Sequence, residues 1–171
     1  MEDRRIVVGA DGTPGCADAL LWAAGEAERA GARLVVVHAW DAPGERQAPY
    51  APPAWHDDLP YRRAGAAAVL DRAVALLRDA HPGLRVERRL LTGRPEVTLA
   101  RAARGAALLV LGSAAHHAGD GRLGMVLLSC LRWPPCPVTV VPSRSGRPSH
   151  AGVTPDARLL QYAGAGDHEA P

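Results

Sequence analysis

The chain has no lysine, no asparagine and no phenylalanine among its 171 residues. Without lysine there is no P-loop lysine to reach a β/γ-phosphate, no kinase-type Lys–Glu pair and no Schiff-base chemistry. Without asparagine there is no N-glycosylation acceptor. Aromatics make up 4% of the residues against a hydrophobic fraction of 47%, so Ala, Val and Leu have to fill the interior. The cysteines are three, Cys16, Cys130 and Cys136, an odd number at unrelated spacings that makes neither a disulfide framework nor a C-x-x-C metal pair. No apolar run approaches the roughly 20 residues of a membrane span, and the first strand starts within about five residues of Met1, leaving no room for a signal peptide. A soluble cytoplasmic protein with reduced thiols is expected.

All 20 basic residues are therefore arginines, set among 18 acids for a net charge of +2. They form no basic run, so nucleic acid is not an expected partner, and neither is a membrane. Glycine (18) and proline (15) are abundant and unevenly placed. They gather between Asp41 and Pro60, between Gly112 and Gly124, and beyond Pro142. The chain is long enough for one domain, placed at 1–142, with a tail at 143–171 whose Ser, Gly, Pro, Arg and Asp content reads as disordered.

Five short apolar runs read as buried strands: Ile6–Ala10, Leu34–Val37 continuing to Trp40, roughly Leu84–Leu91, Ala107–Leu111 and Val138–Val141. Arg85, Glu87 and Arg89 alternate in the third, the pattern of an edge strand with one wet face. Helical spacing separates the runs. Asp11-Gly12-Thr13-Pro14 offers a turn, a capping Thr and a first-position Pro ahead of Ala17, Leu20, Leu21, Ala24 and Ala27. Ala66 to Ala80 marks a second helix, Gly93-Arg94-Pro95-Glu96 opens a third with Val97, Leu99, Ala100 and Ala103 facing inward, and Leu123 to Leu131 marks a fourth that ends at Pro134-Pro135. The loop from Asp41 to Pro60, with five prolines and the anchors Tyr50 and Trp55, reads as a lid or binding flap. Strands alternating with helices predict an α/β fold, a doubly wound five-stranded parallel sheet with helices on both faces. Ligands of such sheets bind beyond the carboxyl ends of the strands where the winding reverses.

Several motifs fall away. Gly119-Asp120-Gly121-Arg122-Leu123-Gly124 matches G-x-G-x-x-G, but it begins eight residues after the fourth strand ends, too far to set a pyrophosphate on a helix N-terminus directly after a strand. His116 and His117 diverge as neighbours and have no companion at metal-ligand spacing except Asp120, so no metal site is expected. Ser113 lacks the G-x-S-x-G elbow of a nucleophile and has no base placed for it. Cys136 reads as a small buried hydrophobe, and His38 as a packing residue whose position beside the expected site leaves a ligand role open. Two features remain. The 112–124 loop opens with the small residues Gly112 and Ser113 and reaches Gly124 in the first turn of a helix, where free N–H groups favour an anion. Asp11 stands just past the first strand, where it serves either a ribose or adenine group or an Asx-type turn.

Taken together, Ile6-Val7-Val8-Gly9-Ala10-Asp11-Gly12-Thr13, Leu34-Val35-Val36-Val37-His38-Ala39, Gly93-Arg94-Pro95, Leu108-Leu109-Val110-Leu111-Gly112-Ser113 and Cys136-Pro137-Val138-Thr139-Val140-Val141-Pro142 resemble the universal stress protein family over about residues 4–142. The resemblance implies the adenine nucleotide alpha hydrolase-like fold, a sheet in the order 3-2-1-4-5 and a homodimer through the last strand, about Val138–Val141. It implies ATP or another adenine nucleotide, with magnesium accompanying it, and adenine near the aspartate after strand 1 and the residue after the strand-2 histidine. Gly9, Asp11 and Ala39 fall at those positions. The phosphates of such proteins lie on a G-x-x-G-x9-G-[S/T] loop, onto which Gly112, Ser113, Ala115, Gly124 and Met125 map. Here Ala115 replaces the second glycine, eight residues rather than nine separate it from Gly124, and Met125 replaces the hydroxyl residue. The family also contains members that lack the motif and do not bind ATP. The expected function is a stress-response regulator that binds adenine nucleotide without dedicated catalysis, or alternatively a homodimeric interaction module with a vestigial pocket. No enzymatic activity is expected, since no general base is placed near the phosphate loop.

Overall fold

The strands form where β-branched and leucine residues run without interruption, because both sheet faces are covered and neither tolerates a polar side chain. In the computed structural model, which describes residues 4–41, 59–113 and 124–143, they are β1 (Arg5–Gly9), β2 (Arg33–Trp40), β3 (Val86–Thr92), β4 (Leu108–Gly112) and β5 (Val138–Val141). All neighbours pair in parallel, in the order β3-β2-β1-β4-β5. The helices α1 (Pro14–Ala30), α2 (Leu59–Ala80), α3 (Pro95–Ala103) and α4 (Met125–Arg132) alternate with them.

Alternation along each central strand feeds two cores. Ile6, Val8, Leu34 and Val36 pack with α1 and α2, while Val7, Val35, Val37, Leu109 and Leu111 pack with α3 and α4. Each fully buried Val or Leu contributes about 1.5–3 kcal/mol. The missing phenylalanine has a packing counterpart in α1, where Ala19, Ala23, Ala24 and Ala27 are wholly buried. Such small side chains let the helix lie close on the sheet without leaving voids. Two of the scarce aromatics, Trp22 and Trp133, are exposed instead. α1 ends at Gly31 in the left-handed conformation (φ 58°), where Gly31 N donates to Glu28 O and Ala32 N to Ala27 O.

Three boundaries differ from the sequence reading. α2 starts at Leu59, so Leu59 and Pro60 belong to the helix rather than the long loop; proline is accommodated in a first turn, where its missing N–H has no intrahelical partner anyway. β3 begins later than Leu84 because His81-Pro82-Gly83 carries a turn closed by Leu84 N on His81 O. α4 begins at Met125, which makes Gly124 its N-cap and not a residue of its first turn. On β3, as expected of an edge strand, one face carries charge: Glu87 bridges Arg33 (2.8 Å) and Arg89 (2.6 Å). Its other face packs Val86 and Leu90 against α2, with Arg88 reaching Asp71 at 2.7 Å. The lid assigned to the 41–60 loop falls on 42–58, and the tail on 144–171, both outside the described residues. No helix among the described residues is long and apolar enough to cross a membrane.

Candidate functional site

The winding reverses between β1 and β4: α1 and α2 lie on one face, α3 and α4 on the other. Between the carboxyl ends of β1, β2 and β4 this leaves a cleft of about 210 Å³. Its floor is Gly9, Val37 and Leu111, and the first turns of α3 and α4 wall it with Pro95, Leu99, Val126 and Leu127. The walls are mostly apolar, with a few polar groups at the rim.

Asp11 is the first of these. The chain leaves β1 through Ala10, whose N–H still donates to Val37 O at 2.8 Å, and turns at Gly12 with φ 77°. The turn is held by Asp11: Oδ1 accepts from Thr13 N at 2.9 Å and from Thr13 Oγ1 at 2.7 Å. Thr13 therefore spends its hydroxyl on Asp11 and makes no side-chain cap on α1, contrary to the capping role its position suggests. Both bonds from Thr13 fall on Oδ1, and the Asp11 side chain is exposed at the rim.

His38 is the second. Its Nδ1 lies 2.6 Å from Ala10 O, and a carbonyl only accepts, so Nδ1 carries the proton. The strand's alternation places its neighbour. Arg33 N and Val37 O bond toward β1, while Leu34 N and Trp40 O bond toward β3. Ala39 has the parity of Arg33 and Val37, so its N–H and C=O face the gap that β1 leaves beyond Ala10. Cys16, in the first turn of α1, completes this side. Its Sγ lies 3.7 Å from Gly9 O, and burial pushes its pKa up, with the nearby Asp11 charge adding to the rise. It lines the cleft as a neutral thiol.

The glycines owe their place to packing. A Cβ on Gly112 would lie 3.3 Å from the backbone oxygen of Gly15, and one on Gly9 3.1 Å from Leu111 Cδ2. Close approach of α1 to β4 demands the first whatever occupies the cleft.

Among the residues that the sequence nominates, Gly9, Asp11, Ala39, Gly112 and Gly124 meet at the cleft. Ser113 and Met125 do not line it. Ser113 N donates to Val141 O at 2.8 Å and its Oγ accepts from Ser143 N at 3.1 Å, joining the end of β4 to the chain leaving β5. Met125 is 74% exposed. Ala115, with His116, His117 and Arg122, lies outside the described residues. No cluster of metal-ligating side chains occurs among the described ones. α4 has no side-chain cap on its first-turn N–H groups, and its N-cap Gly124 borders the cleft. Cys16, Pro95 and Leu99 were not foreseen as lining residues. The helical phase of Cys16 with Ala19, Leu20 and Ala23 is the signal that places it against the strand ends.

The model of the universal stress protein family matches residues 3–142. The chain belongs to this family. A universal stress protein of Mycolicibacterium smegmatis is 32% identical over 122 residues, 71% of this chain and 38% of that protein, so the chain spans well under half the length of this relative. A crystal structure of a family protein from Burkholderia pseudomallei is 30% identical with a TM-score of 0.61, covering 82% of this chain and 97% of that one. The universal stress protein from Archaeoglobus fulgidus, solved in complex with dAMP, is 25% identical with a TM-score of 0.60, covering 82% and 98%. The five-stranded parallel sheet with its helices is the family's fold.

Proposed function

We propose that this universal stress protein family member binds an adenine nucleoside monophosphate in the cleft and acts as a regulatory module without dedicated catalysis. The observation that carries this is the pairing of Asp11 with the backbone of Ala39 at one end of an apolar cleft and the uncapped α4 N-terminus at the other. Ala39 offers one donor and one acceptor in line, suited to the edge of adenine. Asp11 Oδ2 accepts from a ribose hydroxyl or the adenine amine. Gly124 and the amides after it suit one phosphate group, because unsatisfied N–H groups and the helix dipole favour an anion. The dAMP held by the Archaeoglobus fulgidus relative supports a ligand of that size.

The described residues fit one phosphate better than three. Ser113, whose Oγ accepts from Ser143 N, does not line the cleft, and the exposed Met125 thioether donates nothing. No described residue therefore supplies the hydroxyl contact of the ATP-type loop, and no step here depends on magnesium. The same two residues favour a second reading, a protein-interaction module whose cleft holds no nucleotide. In either case β5 is the outer strand of the sheet, with Val138, Thr139 and Val140 only half-buried, and supports a homodimer formed there.

Calorimetry with AMP tests the first reading, with Asp11→Ala as control. Heat lost in the variant supports it; no heat in the wild-type protein sinks it and leaves the interaction module. Light scattering tests the dimer, which a monomer at micromolar concentration would remove.

A further inference from the structure

We infer that residues 155–163 of the chain's own tail dock as a short helix on the outer face of α4, with Leu159 and Leu160 against Leu128 and Leu131 and Asp156 opposite Arg132. The starting point is a surface that the fold leaves unused. Of the eight large apolar side chains exposed among the described residues, four fall between positions 125 and 133: Met125, Leu128, Leu131 and Trp133. α4 turns Leu127 and Cys130 into the core. Leu128 therefore shares the opposite face with Leu131 and Arg132, three and four positions further on, and all three are exposed.

The tail holds one segment of matching character. Thr154-Pro155-Asp156 supplies a capping residue, a first-position proline and an acid for the first turn, and Gly164 supplies the stop. The same Thr-Pro pair opens α1 at Thr13-Pro14. At helical spacing Asp156, Leu159, Leu160 and Ala163 fall on one face, with Arg158 and Gln161 on the other. Isolated helices shorter than about 12–15 residues are marginal in water, so a helix this short needs a surface on which to bury its leucines. Delivery favours α4. Ser143 N bonds Ser113 Oγ at the carboxyl end of β4, the end of the sheet at which Gly124 caps α4 beside the cleft. The 11 positions from 144 to 154 correspond, for a flexible chain, to a span of roughly 17–20 Å. The 8 residues of α4 extend about 12 Å, so its far end at Arg132 is within reach. Seating Asp156 there runs the segment antiparallel to α4, which sets Leu160 opposite Leu128 and joins opposite charges at the start of the contact. Tethering at this range gives an effective concentration near millimolar, so a contact of a few side chains is enough, and the chain's own tail has the advantage over a second copy.

Hydrogen exchange read by mass spectrometry, on the full chain at two protein concentrations, tests this. Amides of 157–163 are expected to exchange about tenfold or more slower than those of an unstructured chain, equally at both concentrations. Leu160→Asp in the tail and Leu131→Glu on α4 should each abolish that protection while the strands stay protected. Arg132→Glu should weaken it several-fold, and adding Asp156→Arg to the same chain should restore it. If Leu131→Glu fails to fold, the charge exchange between positions 132 and 156 decides. Unstructured-chain exchange of 157–163 in the wild-type protein, protection undiminished by Leu131→Glu in a folded chain, no recovery in the exchanged pair, or protection that grows with protein concentration and so reports a second copy would each overturn the inference. The nucleotide reading stands or falls separately, because no residue of this contact lines the cleft.

Discussion

The two ends of the cleft are built differently. At the β1–β2 end the polar groups are held in place by the fold: Asp11 by two bonds from Thr13 to Oδ1, His38 by Ala10 through Nδ1, and Ala39 by the ladder to β3 through its neighbours. At the β4–α4 end, among the described residues, the lining side chains Leu111, Val126 and Leu127 are apolar, Ser113 is bonded to Ser143 away from the cleft, and Met125 is exposed. Among the described residues, the polar groups left there are backbone amides. The comparison teaches that the departures in the loop motif fall on the phosphate end alone, while the base-and-sugar end keeps a preorganised constellation. Preorganisation of this kind lowers the ordering cost of binding.

The largest break of that contrast is expected from Asp11→Ala. Loss of a charged acceptor should weaken AMP binding by about 1.5–3 kcal/mol, roughly ten- to a hundredfold, in calorimetry. Gly12→Ala attacks the same end through its backbone. The residue sits at φ 77°, and a Cβ would lie 3.0 Å from Val69 Cγ1 on α2, so a destabilisation of about 1–2 kcal/mol is expected in denaturant titration. Cys16 at one end and Cys130 on α4 both have thiols pushed up by burial, as does Cys136. A raised folded-state pKa means that the unfolded thiols ionise first. Stability is then fully present below the ordinary thiol range and falls as pH rises from about 8.5 upward, which thermal melts across that range would show. A melting temperature that climbs with pH there would contradict the burial of these thiols. The smallest effect belongs to the phosphate end: Met125→Ala should change neither stability nor AMP affinity by more than about 0.5 kcal/mol.

How much of this was legible in the sequence follows the same division. Continuous apolar runs such as Ile6–Val8 and Leu108–Leu111 announce strands buried on both faces, and the alternation of strand and helix leaves little choice but a parallel sheet. The resemblance supplied the order β3-β2-β1-β4-β5, which the structure shows. Asp11 was legible because a carboxylate directly after a buried strand has to sit at the sheet's end. Its partner was not. Both Asp11 and Thr13 are turn and cap formers, and only their geometry decides that the hydroxyl serves the carboxylate and not the helix. Ser113 misleads for a similar reason: a small residue at a strand's carboxyl end suits a ligand loop, but its bond to Ser143 links positions 30 residues apart. Gly112 suits a phosphate approach by its place in the loop, whereas its requirement comes from the Gly15 backbone in the first turn of α1. Long-range contacts of this sort leave no local pattern.

The central claim is that the cleft reads the nucleoside and takes a single phosphate on backbone amides. Calorimetric titration of the wild-type chain with AMP and then ATP tests it most directly. Dissociation constants within about threefold of each other are predicted, a difference below roughly 0.7 kcal/mol. ATP binding tenfold or more tighter than AMP, or no heat from either, would contradict it.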